Sequence, residues 1–319
     1  MPELPEVEVV RAGLEPAVTG ATILDAVVRD PRALTRHDGS AADFTERLVG
    51  RTIAAAVRRG KFIWMPLSAD EALVAHLGMS GQILLRRDAD VALPTHARIV
   101  LDVAPVTVDA AGAREAPVQL VFVDQRTFGS MAIDPMLPTI DDEPAGYAGR
   151  ADAVDSNATW RRRIPQQVSH IARDPLDPAF DDDRFVALVG RRRSGIKRIL
   201  LDQGIVSGIG NIYADESLWG ARLHGEWPGD RLPRARVRVL LDEVRSVLRR
   251  ALEDGGTSFD AQYVNVNGQS GYFSQRLAVY GQQGRPCRRC GATIVREAFM
   301  NRSSHRCPVC QRRPRAALR

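Results

Sequence analysis

The chain opens with Met1-Pro2-Glu3-Leu4-Pro5-Glu6-Val7-Glu8, and this stretch predicts a helix whose first turn carries two carboxylates. Proline fits the first turn of a helix because the N–H that it lacks has no partner there, so Pro5 marks the helix start. Apolar residues then recur at the spacing of one helix face: Val7, Val10 and Leu14. Glu3 and Glu6 are therefore expected near Pro2.

Pro2 is a candidate nucleophile once Met1 is removed, because its nitrogen is then a free α-amine. Such an amine has a pKa of about 7.7–8.0, against about 10.4 for lysine, so roughly a tenth of it is unprotonated near neutral pH. Attack of this secondary amine on an aldehyde-like carbon gives an iminium with no proton to lose, a good electron sink. Glu3 can protonate the leaving group. The same residues also fit a structural role, since acidic residues at a helix start complement its dipole.

Composition indicates an ordinary globular protein with a polyanionic partner. The 319 residues make two domains likelier than one, and 26% of them are charged. The net charge is +5, and residues 285–319 hold ten arginines against a single acid, Glu297. No apolar run approaches the ~18 residues of a membrane span, and no secretory leader is evident. We therefore expect a cytoplasmic protein with a polyanionic partner; the family resemblance described below implies that it is bacterial and associated with the nucleoid when bound to DNA.

The four cysteines of the chain form two Cys-x2-Cys pairs separated by sixteen residues. This spacing predicts a zinc ribbon, and four thiolate ligands leave no open position, so the zinc is expected to be structural. A disulfide pairing is disfavoured in a chain without a leader. The predicted ligands are Cys287, Cys290, Cys307 and Cys310.

Alternating apolar residues over 20–65 and 95–134 predict β structure in the N-terminal part. A tight turn at 58–61 would present Lys61 to a phosphate. Met79, between two glycines, is predicted on a loop tip, where it could wedge between base pairs. Arg126 and Phe128 face the same side of an extended segment and could fill the gap left by an extruded base.

The C-terminal part has helical periodicity. Residues 138–183 lack periodicity and are interpreted as insertion and linker. A Gly-rich turn at 204–210 leads into a helix whose first amides, with Asn211, could bind a phosphate. A long amphipathic helix is predicted over 235–253, ended by glycines, and then a loop over 257–275 of the kind that closes over ligands.

Seven stretches, in order along the chain, resemble the bacterial formamidopyrimidine-DNA glycosylase family. They are PELPEVE (2–8), HLGMSG (76–81), DQRTFG (124–129), SGIGNIYADE (207–216), GGTSF (255–259), GYF (271–273) and CRRC…CPVCQ (287–311). The resemblance implies an α+β protein with an N-terminal β-sandwich flanked by helices. It also implies a helical helix–two-turn–helix domain and a C-terminal β-hairpin zinc finger, with DNA between the domains. The domains would be 1–137, a linker at 138–183, 184–275 with the lesion loop, a finger at 276–311 and a basic tail at 312–319.

The resemblance also implies the reaction, excision of 8-oxoguanine and formamidopyrimidines from duplex DNA followed by β,δ-elimination. A monomer acting on damaged double-stranded DNA is expected. Pro2 would attack C1′, Glu3 would help to open the sugar ring with Glu6 in support, and Lys61 and Arg302 would assist elimination. Residues implied to fill the void are Met79, Arg126 and Phe128; those implied to hold DNA are Lys61, His76, His96, Arg192, Asn211 and Arg302.

Three departures and three alternatives stay open. Segments 104–117 and 139–168 are longer than the family core needs, and Asp260 stands where some relatives carry a lysine. Endonuclease VIII-like enzymes share the proline and glutamate but prefer oxidised pyrimidines. A non-catalytic zinc-ribbon DNA binder would not need Pro2, Glu3 and Lys61. A small-molecule enzyme using N-terminal proline would leave the zinc ribbon and basic tail unexplained.

Overall fold

The computed structural model describes residues 2–68, 70–88, 91–106, 115–151, 158–256, 266–267 and 273–314. The chain divides into two compact units, one made of 1–170 with 255–271 and the other of 171–254 with 272–319. In the part of the chain that the structure describes, no helix is both long enough and apolar enough to cross a bilayer.

The predicted N-terminal helix is present as α1, Leu4–Val18. The Glu6 carboxylate accepts the backbone N–H of Glu3 at 2.8 Å, as part of a capping box that satisfies the first amides of the helix. The predicted apolar face is buried. Capping and burial together fix where α1 begins, two residues after Pro2.

Two antiparallel sheets pack over one core in the first unit. The four-stranded sheet has the order β1-β6-β7-β5 and the five-stranded sheet the order β2-β3-β4-β8-β9. Buried residues of α1 and of both sheets form a single apolar cluster, so this unit is a β-sandwich with helices against it, as expected. The strands are β1 Thr22–Val28, β2 Val57–Arg59, β3 Phe62–Pro66, β4 Glu71–His76, β5 Gly81–Arg86, β6 Ala97–Ala104, β7 Val118–Asp124, β8 Ser130–Pro138 and β9 Arg163–Pro165.

One helix was not expected from the sequence. The residues predicted as β structure at 20–65 include α2, Ala41–Leu48. Ser40 caps this helix, because its hydroxyl accepts the Asp43 N–H at 3.1 Å. Phe44 and Leu48 are buried on its inner face. The β prediction for these eight residues was wrong because it followed the flanking alternation and missed the cap.

The segment interpreted as insertion and linker contributes to the first unit. β9 pairs with β8 through Leu137 and Ile164. Tyr147 forms an antiparallel bridge with Arg58 of β2, and both N···O distances are 2.9 Å. The described residues between 139 and 168 therefore extend the sheet and cover its β2 edge.

The second unit is helical and ends in a hairpin. The predicted long helix is present as α6, and left-handed glycines at 255 and 256 follow it. The Gly-rich turn at 204–210 joins α4 to α5, as predicted. The elements are α3 Asp182–Gly190, α4 Ile196–Leu200, α5 Asn211–Gly220, α6 Arg234–Glu253, β10 Val295–Phe299 and β11 Arg302–Arg306.

Candidate active site and nucleic-acid interface

Pro2 and two carboxylates are buried at the start of α1. Glu3 is 3% exposed and Glu6 is 8% exposed, and Pro2 is also buried. The hydrogen bond from the Glu3 N–H to Glu6 fixes the Glu6 carboxylate over the first turn. Pro2 and two acidic residues are thus buried at one helix start, and attack by an amine with acid assistance needs a nucleophile and an acid group close together.

Lys61 lies in the turn between β2 and β3, after Gly60 with φ +58°. It is only 8% exposed, so it is not a solvated surface lysine. The backbone of the next residue, Phe62, pairs with His76 on β4, and the two rings lie 4.7 Å apart. Lys61 is thereby held at the end of a rigid hairpin.

His76 is neutral near pH 7. Burial, with a smaller contribution from the charges of Arg36 and Lys61, lowers its pKa from 6.5 to about 4. Its Nδ1 accepts the Gly78 N–H at 3.2 Å, so Nε2 carries the ring proton. His76 can therefore donate a hydrogen bond to DNA, but it adds no positive charge. Arg36, over the Phe62 ring at 5.5 Å, is a nearby cation that sequence reasoning missed, because it lies in a polar segment without periodicity.

Two loops carry the three residues predicted to enter the base stack. We call residues 77–80, between β4 and β5, the Met79 loop, and residues 125–129, after β7, the Phe128 loop. Phe128 is 52% exposed and lies under the Arg126 guanidinium at 4.8 Å. The backbones of the two loops are in contact at Gly78. A Cβ added to this glycine would lie only 2.5 Å from the Phe128 carbonyl carbon.

His96 precedes β6 in a left-handed conformation, with φ +80°. Its side chain is exposed, and its carbonyl accepts the Asp124 N–H at 3.1 Å, which places it beside the start of the Phe128 loop. The predicted lesion loop, including Asp260, lies largely outside the described residues, as does most of 104–117.

In the second unit, Asn211 is the first residue of α5 and is bonded to the hairpin. Its side-chain N–H donates to the Ser303 carbonyl at 2.8 Å, and the neighbouring Arg302 is exposed. These two predicted DNA contacts therefore lie together. Arg192 is exposed beyond the end of α3, where its carbonyl accepts the Asp230 N–H at 2.8 Å.

A buried ionic network that sequence reasoning missed attaches the hairpin to α5. Lys197 is fully buried, and its Nζ lies 2.6 Å from Asp215 Oδ1. The same carboxylate accepts the Ser304 hydroxyl at 3.0 Å and the His305 N–H at 2.8 Å. The sequence signal was an adjacent acidic pair, Asp215 and Glu216, in a helix whose other residues carry no charge.

The four cysteines form a site that fits zinc. Their Sγ atoms all lie within 4.8 Å of one another, with separations of 3.4 Å from Cys290 to Cys307 and 3.6 Å from Cys290 to Cys310. Four thiolates at the usual Zn–S distance of about 2.3 Å would lie about 3.8 Å apart. The Trp219 indole N–H, on α5, donates to the Cys287 sulfur at 3.4 Å. Such an outer contact orients a ligand and ties the finger to the helix.

A β-sandwich domain, a helical domain and a four-cysteine finger together define the class of zinc-finger DNA glycosylases. Three family models match in the same order: the formamidopyrimidine-DNA glycosylase N-terminal domain at 1–131, its H2TH domain at 171–262, and the zinc finger found in FPG and IleRS at 284–313. The chain belongs to the formamidopyrimidine-DNA glycosylase family.

Individual relatives match over nearly the whole length. The formamidopyrimidine-DNA glycosylase of Leifsonia xyli subsp. xyli is 59% identical over 98% of this chain and 100% of its own. Crystal structures of the Lactococcus lactis Fpg are 29% identical and cover 98% of this chain and 100% of theirs. One holds Fapy-dG-containing DNA, with a TM-score of 0.74. Another holds DNA that contains an oxidised pyrimidine, with a TM-score of 0.75.

Proposed function

We propose that this chain removes oxidised purines from duplex DNA and then cleaves the strand at the resulting abasic site. The observation that carries the proposal is the burial of Pro2 with Glu3 and Glu6 at the start of α1. This arrangement occurs in a chain that is 59% identical to a formamidopyrimidine-DNA glycosylase.

The reaction follows from the chemistry of the amine. The Pro2 nitrogen forms a bond to C1′ while the bond from C1′ to the base breaks, and the base departs with a proton. Glu3 protonates the ring oxygen, the sugar opens, and loss of the nitrogen's proton gives an iminium. Loss of a 2′ proton then expels the 3′ phosphate, and a second elimination expels the 5′ phosphate. Lys61 and Arg302 supply charge to these departing phosphates.

Several residues would hold the DNA while this occurs. Arg302 is exposed in the second unit, and Asn211 bonds to the residue next to it; both would bind phosphate, with Arg192 and His96 as further contacts. His76 would donate a neutral hydrogen bond. Met79, Arg126 and Phe128 would fill the space that the extruded base leaves. The four cysteines would hold one zinc ion, which supplies structural stability to the hairpin that carries Arg302.

Borohydride trapping tests the nucleophile, because reduction of an iminium joins the protein covalently to DNA. The wild-type chain should be trapped on a duplex with oxidised guanine. Pro2→Gly keeps an α-amine but makes it primary and should be trapped more weakly, and protein that retains Met1 should not be trapped. Full trapping of Met1-retaining protein, verified by mass, would contradict the assignment of Pro2. Absence of trapping by wild-type protein would favour a non-catalytic DNA binder.

Oxidised pyrimidines are a second candidate substrate class, because the Lactococcus lactis relative has been crystallised with such DNA. Single-turnover rates on matched duplexes with 8-oxoguanine or thymine glycol decide between the classes. We propose a faster rate on 8-oxoguanine, and action as a monomer on the nucleoid in the cytoplasm. A faster rate on thymine glycol would reassign the substrate while leaving the Pro2 chemistry intact. Sedimentation with and without DNA tests the monomer.

A further inference from the structure

The carboxylate of Asp124, the last residue of β7, is fully buried and holds the Phe128 loop closed. Its Oδ2 accepts the Gly129 N–H at 2.7 Å and its Oδ1 accepts the Arg126 N–H at 3.1 Å. A buried charge is tolerated only when such bonds replace its water shell. Within the loop, Thr127 has φ +56°, a strained conformation for a β-branched residue, which persists only when its surroundings impose it.

The same carboxylate also bonds to the Met79 loop. Asp124 Oδ1 accepts the Ser80 hydroxyl at 2.5 Å. The Ser80 oxygen in turn accepts the Arg126 N–H at 3.3 Å. Ser80 follows Met79 directly, so one buried group is bonded to both loops.

The two loops are also packed backbone against backbone. Gly78 has φ +61°, and a Cβ there would lie 2.5 Å from Gly129 N and 2.6 Å from the Phe128 carbonyl oxygen. A Cβ on Gly129 would lie 2.8 Å from the His76 carbonyl oxygen. With no space between them, neither loop can shift without displacing the other.

We propose that Asp124 is a positioning residue for base extrusion, which makes the Met79 and Phe128 loops one rigid unit that enters the base stack together. The inference rests on the proposed function, because it assigns a shared motion to residues whose role in DNA is part of that proposal. It adds that Met79 and Phe128 act cooperatively, through a group that itself never reaches DNA.

Asparagine cannot replace the carboxylate at this position. The Asp124 oxygens face the Gly129 N–H on one side and the Arg126 N–H on the other, and both are donors. An amide has one oxygen, so its NH2 group must face one of these N–H groups whichever way it is turned. Asp124→Asn should therefore loosen the Phe128 loop while keeping side-chain size. Ser80→Ala is the milder variant, since it removes only the hydroxyl that joins the loops.

Single-turnover kinetics separate positioning from folding. With saturating enzyme, Asp124→Asn should excise oxidised guanine about tenfold more slowly. It should cleave a preformed abasic site at the wild-type rate, because that substrate has no base to extrude. Ser80→Ala should give a smaller loss of the same selectivity. A fluorescent base analogue beside the lesion should report slower unstacking in both variants. Equal slowing on the lesion and the abasic site would mean a general structural defect and would overturn the proposal.

A double-mutant cycle measures the cooperation itself. Met79→Ala and Phe128→Ala should be strongly non-additive in excision rate in the wild-type background. They should be less strongly non-additive in the Ser80→Ala background, where only the backbone packing still joins the two loops. This cycle does not require Asp124→Asn to fold. Unchanged coupling in the Ser80→Ala background would refute the rigid-unit inference while leaving the glycosylase proposal standing. Failure of wild-type protein to excise or be trapped would instead remove the proposed function.

Discussion

Glu8→Gln should destabilise the first unit, because Glu8 joins α1 to the turn that carries Lys61. The Glu8 carboxylate accepts Arg11 Nε at 2.9 Å and Arg58 Nε at 2.8 Å. The side chains of both arginines are 2% exposed and that of Glu8 is 12% exposed. Glutamine fills the same volume, but it removes the negative charge between two buried cations.

The magnitude follows from this geometry. Removing one partner of a buried ion pair costs about 3–5 kcal/mol, because the remaining charge stays desolvated. Glutamine keeps one acceptor oxygen, and Arg11 keeps Glu15 at 3.1 Å, so the lower limit applies, about 3 kcal/mol. For a unit of this size, 1 kcal/mol shifts Tm by about 2–4 °C, which gives a decrease of about 6–12 °C.

Differential scanning calorimetry of the full chain measures this shift, and Glu46→Gln is the matched control. Glu46 is exposed on α2, and substitutions at such positions change stability by about 0.5 kcal/mol or less. We also expect slower borohydride trapping by Glu8→Gln at temperatures where it is folded, because α1 positions Pro2. A Tm equal to that of the Glu46→Gln control would refute the view that this ion pair stabilises α1 against β2.

Three further predictions concern metal, pH and the segment around Tyr147. Cys307→Ser should lose zinc and DNA affinity while the β-sandwich stays folded; metal analysis and calorimetry check this, and full zinc occupancy would contradict it. The pKa of His76 is lowered from 6.5 to about 4, so the unfolded chain binds the proton first. The free energy of unfolding therefore decreases as the pH falls from 6.5 toward 4, by about 2 kcal/mol at pH 5. In His76→Gln the denaturant midpoint should depend less on pH over this range. Gly146→Ala should lower the free energy of unfolding by about 1–3 kcal/mol, because its Cβ would lie 2.5 Å from the Arg58 carbonyl oxygen. Gly190→Ala, whose Cβ would meet no atom within 4 Å, is the control and should not have this effect. Equal denaturant midpoints for the two variants would contradict the prediction.

Features encoded within a few residues could be predicted from the sequence. The start of α1, the long helix α6, the turn before Lys61 and the four-cysteine spacing each depend on local backbone preferences or on a short ligand pattern. The structure has all of them where they were expected. The motifs also led to the family, because their order along the chain is a property of the sequence alone.

Features that depend on distant partners could not be predicted. In the sequence, Asp124 is an acidic residue at a strand end like any other. Its hydrogen bond to Ser80, 44 positions away, forms only in the folded chain. Lys197 resembled a surface lysine until α5 and the hairpin enclosed it with Asp215. Burial of a charged group is decided by which segments meet around it, and a charge has the same appearance in the sequence whether it is solvated or paired.

The charged side of α1 illustrates how such burial serves the site. Glu8, Arg11 and Glu15 recur at helical spacing beside the apolar face, where solvent exposure would be the ordinary expectation. Instead Glu8 binds Arg58, the Arg11 guanidinium lies 5.1 Å from the centre of the Tyr147 ring, and Glu15 accepts the N–H of residue 150 at 2.6 Å. α1 is thus held by the core on one side and by β2 with the segment around Tyr147 on the other. A helix fixed on two sides cannot rotate or slide, and because Pro2 lies two residues before it, the position of the proposed nucleophile is set by ion pairs and ring contacts that are largely buried in the first unit.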